Sequence, residues 1–304
     1  MRTSELYEPF IERNVNAIPA TVRAYRDEHG SAETFLAVAR FAVLAYAPSQ
    51  HAKHALLSCL AVHDLRDADR FDDLVTECAI YAASSRQPWS EPPLLNPPDV
   101  DAAPPSFDDR LGAEKWLAAR LDSPSLEREY FEMAVRDFED YGHKLIISLA
   151  AWRLSTILGE QGRYATLRIG LWEDVAYGGE PYREKGGALD QKSLRDRLVA
   201  NMIAEEGSLE SAHAVFLFDT AMQSPEFIRA RVFDYLSQTV PTEPIQSGGF
   251  AAALPDIPVY RLARDLGQCL IAHAVARRLD APEIVAAAHY NLKHAPSFEE
   301  WSFA

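Results

Sequence analysis

Three histidines occupy the same place in three similar segments of the chain. The segments are HAKHALLSCLAVHDL (51–65), DYGHKLIISLAAWRL (140–154) and ESAHAVFLFDTAM (210–222), and the shared residues are His54, His143 and His213. A fourth segment, DLGQCLIAHAVARRL (265–279), has Gln268 at this place. Because imidazole binds transition metals and transfers protons near neutral pH, the three histidines are the candidate catalytic residues.

Each shared histidine has a second residue of metal-ligand type three positions before it. The pairs are His51/His54, Asp140/His143 and Glu210/His213. Residues three apart lie on one side of a helix, so the members of a pair can converge on one ion. Two carboxylate-x-x-His pairs, together with single carboxylates from other helices, form the ligand set of helical-bundle di-iron proteins. Glu77 and Glu173 are single acids at matching places in the segments that follow.

The sequence therefore predicts a site for iron or another transition metal, without identifying the cofactor. The candidate ligands are His51, His54, Glu77, Asp140, His143, Glu173, Glu210 and His213. Two other interpretations remain open. Acids in the first turn of a helix are favoured by the helix dipole, so Asp140 and Glu210 also fit a structural role. Histidines around a cavity can also act as acid/base or hydrogen-bonding groups without a metal.

The elements that must position these residues are helices. Apolar residues recur at i, i+3, i+4 and i+7 in segments such as 35–46 and 129–158. After each repeated segment a turn leads to a second helical segment, and repetition of a helix pair is typical of stacked helical architecture. The unequal spacing of the repeats argues against a regular solenoid. We predict an all-α fold in which repeated helix pairs, within a single domain over residues 1–304, form a closed helical bundle or barrel.

Three regions interrupt the helical pattern. Residues 88–105 form a Pro-rich loop, residues 178–187 are bracketed by glycines, and residues 239–258 form a Gly/Pro loop. Connections of this length inside a compact domain tend to be lids or binding loops. We predict that 88–105 and 239–258 are inserted loops, and that the Pro-rich loop closes over the site to exclude water.

Composition excludes several classes of partner. The net charge of −15 argues against a nucleic-acid partner, because that affinity comes mostly from Lys and Arg neutralising phosphates. No apolar stretch approaches the roughly 18–20 residues needed to span a bilayer, so we expect no membrane partner. Cys59, Cys78 and Cys269 are scattered and form no CxxC pair, which favours a reducing, cytoplasmic location.

Two sets of residues carry a resemblance to a known family. One is Asn14-Val-Asn16-Ala-Ile-Pro19, which precedes an Ala/Tyr helix, and the other is the recurring small-His unit at His54, Gly142-His143 and Ala212-His213. In these features the chain resembles the questin oxidase-like proteins, which are enzymes of aromatic polyketide metabolism. The chain departs from the family at Asn16, where a His is expected, and at Gln268. The resemblance implies oxygen-dependent oxidation or ring cleavage of an aromatic polyketide, and it transfers no catalytic residues.

We therefore predict an oxidoreductase of the questin oxidase-like type. Its partner is expected to be a small hydrophobic cyclic molecule, held in a central helical cavity lined by His54, His143 and His213. The alternative is a non-catalytic helical-repeat protein that binds a peptide or a protein partner on its concave face. In that case the histidines would matter for stability only.

Overall fold

A computed structural model of the protein describes residues 1–46, 52–67, 70–85, 96–100, 106–241 and 263–294. The side chains of residues 52, 85, 263–270 and 289–294 lie outside this description. Every regular element within these ranges is helical, which confirms the predicted all-α fold. The α-helices are α1 (Thr3–Ile11), α2 (Ile18–His29), α3 (Ser31–Ala45), α4 (Ala52–Asp64), α5 (Phe71–Ser85), α6 (Arg110–Ala118), α7 (Leu126–Ala134), α8 (His143–Leu158), α9 (Glu160–Ala176), α10 (Gln191–Ala204), α11 (Leu209–Gln223), α12 (Glu226–Thr239), α13 (Ala263–Leu279) and α14 (Glu283–His294).

Four helices form a closed ring, which we call the inner ring. Helix α4 contacts α8, α8 contacts α11, α11 contacts α13, and α13 contacts α4. These are the helices of the four repeated segments. Helix α8 buries residues on all of its sides, including Leu145, Ile147 and Leu154, as expected of a helix that is apolar all round. The prediction of a closed helical bundle is thus confirmed.

Each helix of the inner ring is followed by an outer helix that packs back against it. Helices α5, α9, α12 and α14 pack on α4, α8, α11 and α13, respectively. Gly159 alone separates α8 from α9, and its φ of 74° is one that glycine adopts without steric penalty. Helices α1 to α3 pack against α5, and α6 and α7 pack against α9.

Three helices of the inner ring begin at the same end of the molecule. His143 is the first residue of α8, while His54 and His213 lie within the first five residues of α4 and α11. Since these three side chains meet, α4, α8 and α11 run in the same direction. The three histidines therefore lie at one end of the inner ring, each in the first turn or two of its helix.

The loop after α9 lies along α12. Tyr182 Oη and the Lys185 amide both donate hydrogen bonds to Asp234 Oδ2, at 2.7 and 2.8 Å. Residues 178–187 contain no helix, as the glycine-bracketed pattern predicts. Most of the Pro-rich loop 88–105 and of the Gly/Pro loop 239–258 lies outside the described residues, so their predicted role is not tested. None of the described helices is both long enough and apolar enough to span a membrane.

Candidate functional site

The structure brings His54, His143 and His213 together. One nitrogen of each imidazole lies within 4.8 Å of the other two. His143 and His213 are buried and His54 is half-buried. The Nε2 atoms of His143 and His213 are 3.2 Å apart, and the ring centroids of His54 and His143 are 5.7 Å apart. We call these three residues the histidine cluster.

Backbone carbonyls determine which nitrogen carries the proton in two of these rings. His143 Nδ1 donates to the Asp140 carbonyl at 2.5 Å, and His213 Nδ1 donates to the Leu209 carbonyl at 2.6 Å. A carbonyl oxygen can only accept, so both Nδ1 atoms must be protonated. In the neutral rings each Nε2 is therefore unprotonated and carries an exposed lone pair. The two Nε2 atoms lie 3.2 Å apart.

Burial keeps both rings neutral. It is the main cause that lowers the pKa of His143, to about 3; a proton on His213 and the positive charge of Lys53 both oppose protonation of His143 as well. Burial also lowers the pKa of His213, against the opposing effect of its hydrogen bond to the Leu209 carbonyl. Neutral imidazole is the form that binds a metal ion.

A left-handed turn sets the position of His143. Asp140, Tyr141 and Gly142 have φ angles of 50°, 57° and 78°, a region that is unfavourable for residues other than glycine. At Gly142 a Cβ would lie 2.7 Å from Leu217 Cδ2, so a larger residue would have to displace this buried side chain. The turn brings the Asp140 carbonyl to His143 and turns the Tyr141 ring toward His213, at a centroid distance of 5.5 Å.

Lys53 binds two of the predicted metal ligands. Its ammonium donates to the Asp140 carboxylate and to Glu173 Oε1, the latter at 3.1 Å, and Glu173 also accepts a hydrogen bond from the Tyr46 hydroxyl. Burial lowers the pKa of Lys53, but the two carboxylates outweigh it and the pKa is raised. Asp140 Oδ2 also lies 3.4 Å from His143 Nδ1. Asp140 therefore lies on the Nδ1 side of His143, and Lys53 links it to Glu173.

The other predicted ligands lie elsewhere. Glu210 is exposed and accepts a hydrogen bond of 3.4 Å from the Tyr141 hydroxyl. Glu77 lies in a separate groove between α2 and α5, where burial raises its pKa. His51 lies outside the described residues. The structure thus brings together the three shared histidines but not the paired acids, which the prediction had assumed to share a helix face with them.

The inner ring encloses a cavity that begins at the histidine cluster. Each of its four helices contributes residues three, seven and ten positions after the one aligned with His54. At a rise of 1.5 Å per residue, this lining extends ~15 Å along the helices. The apolar layer is Leu57, Ile146, Phe216 and Ile271. The small layer is Ala61, Ala150, Thr220 and Val275. The ion layer is Asp64, Arg153, Gln223 and Arg278. The cavity, which we call the inner cavity, has a volume of about 90 Å³.

The ion layer is held by bidentate ion pairs. Arg153 donates to both oxygens of Asp64, at 2.6 and 3.0 Å, and to Gln223 Oε1 at 2.7 Å. Arg278 donates to Asp64 at 2.6 Å and to both oxygens of the buried Asp219, at 2.6 to 3.1 Å. The two arginines and two aspartates balance in charge. The candidate metal ligands predicted from the sequence do not include this layer. Its charged residues are nevertheless aligned in the repeats, as the middle residues of the segment ends HDL, WRL and RRL.

His213 also borders a second space, on the outside of α11. This outer groove is lined in part by Tyr141, Asn201, Glu210 and Tyr235, and its volume is about 320 Å³. Asn201 Oδ1 is buried and has no hydrogen-bond partner among the described residues. The histidine cluster therefore lies between a small inner cavity and a larger outer groove.

Comparisons of the chain with known protein families, with curated proteins and with solved structures found no match.

Proposed function

We propose that the protein is a metal-dependent oxidoreductase that acts on a small hydrophobic cyclic molecule. In this proposal His54, His143 and His213 bind iron or another redox-active transition metal. The observation that carries the proposal is the pair of Nε2 atoms of His143 and His213, which face each other at 3.2 Å while both Nδ1 atoms donate to carbonyls.

Two lone pairs at this distance repel unless a cation lies between them. With metal–nitrogen bonds of ~2.1 Å, a separation of 3.2 Å corresponds to a ligand–metal–ligand angle of about 100°, midway between the octahedral and tetrahedral values. The same bond length limits two ligands of one ion to ~4.2 Å. The three nitrogens lie within 4.8 Å of one another, so His54 would move by up to ~1.4 Å to reach the ~3.4 Å spacing of tetrahedral ligands.

Charge also favours a cation at this place. The Asp140 carboxylate lies next to His143, and the Lys53 ammonium links it to a second carboxylate, Glu173. When all three are ionised they sum to one negative charge, which a metal cation would offset. Asp140 meanwhile holds the Nδ1 side of His143, and such an outer partner orients a ligating imidazole and increases its basicity.

The organic substrate fits the outer groove better than the inner cavity. A dry cavity of ~150 Å³ is known to hold benzene, so the inner cavity, at about 90 Å³, is too small for a fused-ring molecule. The outer groove, at about 320 Å³, lies within the usual range for ligand pockets, which begins at ~300 Å³. Tyr141 and Tyr235 offer aromatic faces, and the Asn201 and Glu210 oxygens accept hydrogen bonds from substrate hydroxyls. The resemblance to the questin oxidase-like proteins supports a hydroxylated aromatic substrate and an oxidation.

Metal analysis tests the first part of the proposal. We expect protein purified without chelator to contain close to one equivalent of transition metal, and His143→Asn and His213→Asn to lose at least 90% of it. His29→Asn is the matched control, because His29 lies on α2 and bonds the Met1 carbonyl. A metal-free wild type that also fails to bind added Fe(II), Co(II) or Zn(II) would refute the metal centre and leave the partner-binding alternative as the better account.

Oxygen uptake tests the second part. The iron-loaded protein is mixed with polycyclic phenols such as 1-naphthol and 1-hydroxyanthraquinone, and oxygen consumption is recorded. Tyr141→Ala should raise KM at least tenfold, because the ring that forms a wall of the outer groove is removed, while the metal content stays unchanged. Metal binding without phenol-dependent uptake by any tested compound would contradict the proposed substrate class.

A further inference from the structure

The inner cavity has the size and the walls of a binding site for a molecule much smaller than the organic substrate. Three histidines bound one end and the ion layer bounds the other. Between them lie the apolar layer and the small layer, in which Ala61 and Ala150 leave the space that larger side chains would fill. At about 90 Å³ the cavity is smaller than the ~150 Å³ space that accepts benzene, so it admits only a guest smaller than benzene.

Beyond the Nε2 lone pairs of the histidine cluster at one end, the polar groups around this space bond to other protein groups. Thr220 Oγ1 donates to the Phe216 carbonyl at 2.8 Å, within its own helix. Arg153 and Arg278 both donate to Asp64 in the ion layer. An ordered water needs two to four polar partners, and the apolar and small layers offer it few. The guest that matches these walls is therefore small and apolar.

The ion layer also separates the inner cavity from solvent on the far side. Asp219, Gln223 and Arg278 border both the inner cavity and an open groove of about 740 Å³ that includes Lys192 and Arg195. A bulky solute can pass this layer only if the partly exposed, bidentate ion pairs of Arg153 and Arg278 separate. A small uncharged guest requires much less opening.

We propose that the inner cavity binds a small apolar molecule and supplies it to the histidine cluster from the side opposite the outer groove. In the proposed oxidation this molecule is dioxygen, and that identity rests on the proposed function, whereas the cavity itself does not. The two reactants of the oxidation then reach the histidines from two sides, the small one through the inner ring and the organic one through the outer groove.

Xenon is the probe for the cavity, because it enters dry apolar cavities and needs no metal. Crystals of the wild-type protein under xenon pressure should show one xenon atom beside Ala150, between the apolar layer and the ion layer. Ala150→Leu fills the small layer and should remove that atom. Ala176→Leu, the same substitution at an exposed place in α9, should retain it. If Ala150→Leu does not fold, Ala61→Val reduces the space from the α4 side.

Oxidation of the metal tests delivery. Protein loaded with Fe(II) under argon is mixed with oxygenated buffer, and the appearance of ferric absorbance is followed by stopped flow. The second-order rate constant should fall at least tenfold in Ala150→Leu and stay unchanged in Ala176→Leu, with equal iron content in both. Absence of xenon from the wild-type cavity, retention of xenon in Ala150→Leu, or an unchanged rate of iron oxidation would each overturn the inference. Xenon binding in a protein that takes up no metal would refute the proposed function and leave the cavity assignment standing.

Discussion

Replacing Lys53 with Met should destabilise the fold strongly, and the loss should depend on pH. Lys53 is 2% exposed and Glu173 is fully buried, so water cannot take the place of either partner. Removal of one partner of a buried ion pair typically costs about 3–5 kcal/mol, because an uncompensated charge remains. We expect a loss in this range for Lys53→Met at pH 7.5. The measurement is urea unfolding followed by circular dichroism, with chelator present so that metal binding does not contribute.

The pH dependence follows from Glu173. Burial already raises the pKa of Glu173 in the native protein, where Lys53 opposes the shift. Without Lys53 that pKa rises further above the ~4.3 of an unfolded glutamate. A carboxyl group with a raised folded-state pKa loses stability as the pH rises from its unfolded pKa to its folded pKa. The deficit of Lys53→Met should therefore be smaller near pH 4.5 than at pH 7.5.

Two further variants make the test specific. Glu173→Gln in the Lys53→Met background removes the unpaired charge and should restore more than half of the lost stability. Lys192→Met removes the exposed i,i+4 pair with Asp196, in which Lys192 is 86% exposed, and should cost less than about 0.5 kcal/mol. A loss below about 1 kcal/mol for Lys53→Met, or an equal loss at both pH values, would refute the assignment of Lys53 as the counter-charge of Glu173.

Two other perturbations test the position and the protonation of the histidines. Gly142→Ala should cost about 2–4 kcal/mol in urea unfolding and weaken metal binding, because alanine is strained at this positive φ and its Cβ would lie 2.7 Å from Leu217 Cδ2. Gly186→Ala is the matched control, because Gly186 has a similar φ of 76° and nothing lies within 4 Å of the added Cβ. It should cost about 1–2 kcal/mol. Metal-free wild type should lose stability as the pH falls below the ~6.5 of an unfolded histidine, because the unfolded chain takes up a proton that buried His143, with its pKa of about 3, does not. His143→Asn should flatten that slope between pH 6.5 and 4, and an unchanged slope would contradict the lowered pKa.

Alignment of the four repeated segments predicted the inner ring and the meeting of the histidines. The reason is physical: equivalent places in equivalent helices face the same axis once the helices close into a ring. The same alignment contains the layers of the inner cavity, because residues three, seven and ten positions further along remain on that face. Asp64, Arg153 and Arg278 form one such column, since each lies ten positions after the shared place of its own segment.

The role of the acids could not be predicted in this way. The i, i+3 argument assumes that both residues lie on one helix, but Asp140 precedes α8 in a left-handed turn. Its partner Lys53 is 87 residues away in the sequence, and Glu173 is 120 residues from the same lysine. The contact between such distant partners cannot be predicted from the spacing of residues within one segment. An apolar helix that carries a lysine directly before the shared histidine was the one available signal.

Buried charge alone does not explain why Lys53 lies where it does. A second buried pair joins Lys144, the residue of α8 that follows His143, to Asp137, which lies between α7 and α8. Ion pairs of this kind contribute little net stability compared with apolar residues of the same size. What distinguishes Lys53 is that its partner Asp140 also contacts His143, through the backbone carbonyl and the carboxylate. Lys53 holds the carboxylate of Asp140, the turn holds its carbonyl, and together they keep the proton of His143 on Nδ1. The lone pair of Nε2 is thereby left to face His213, and this orientation is the property that a metal centre requires.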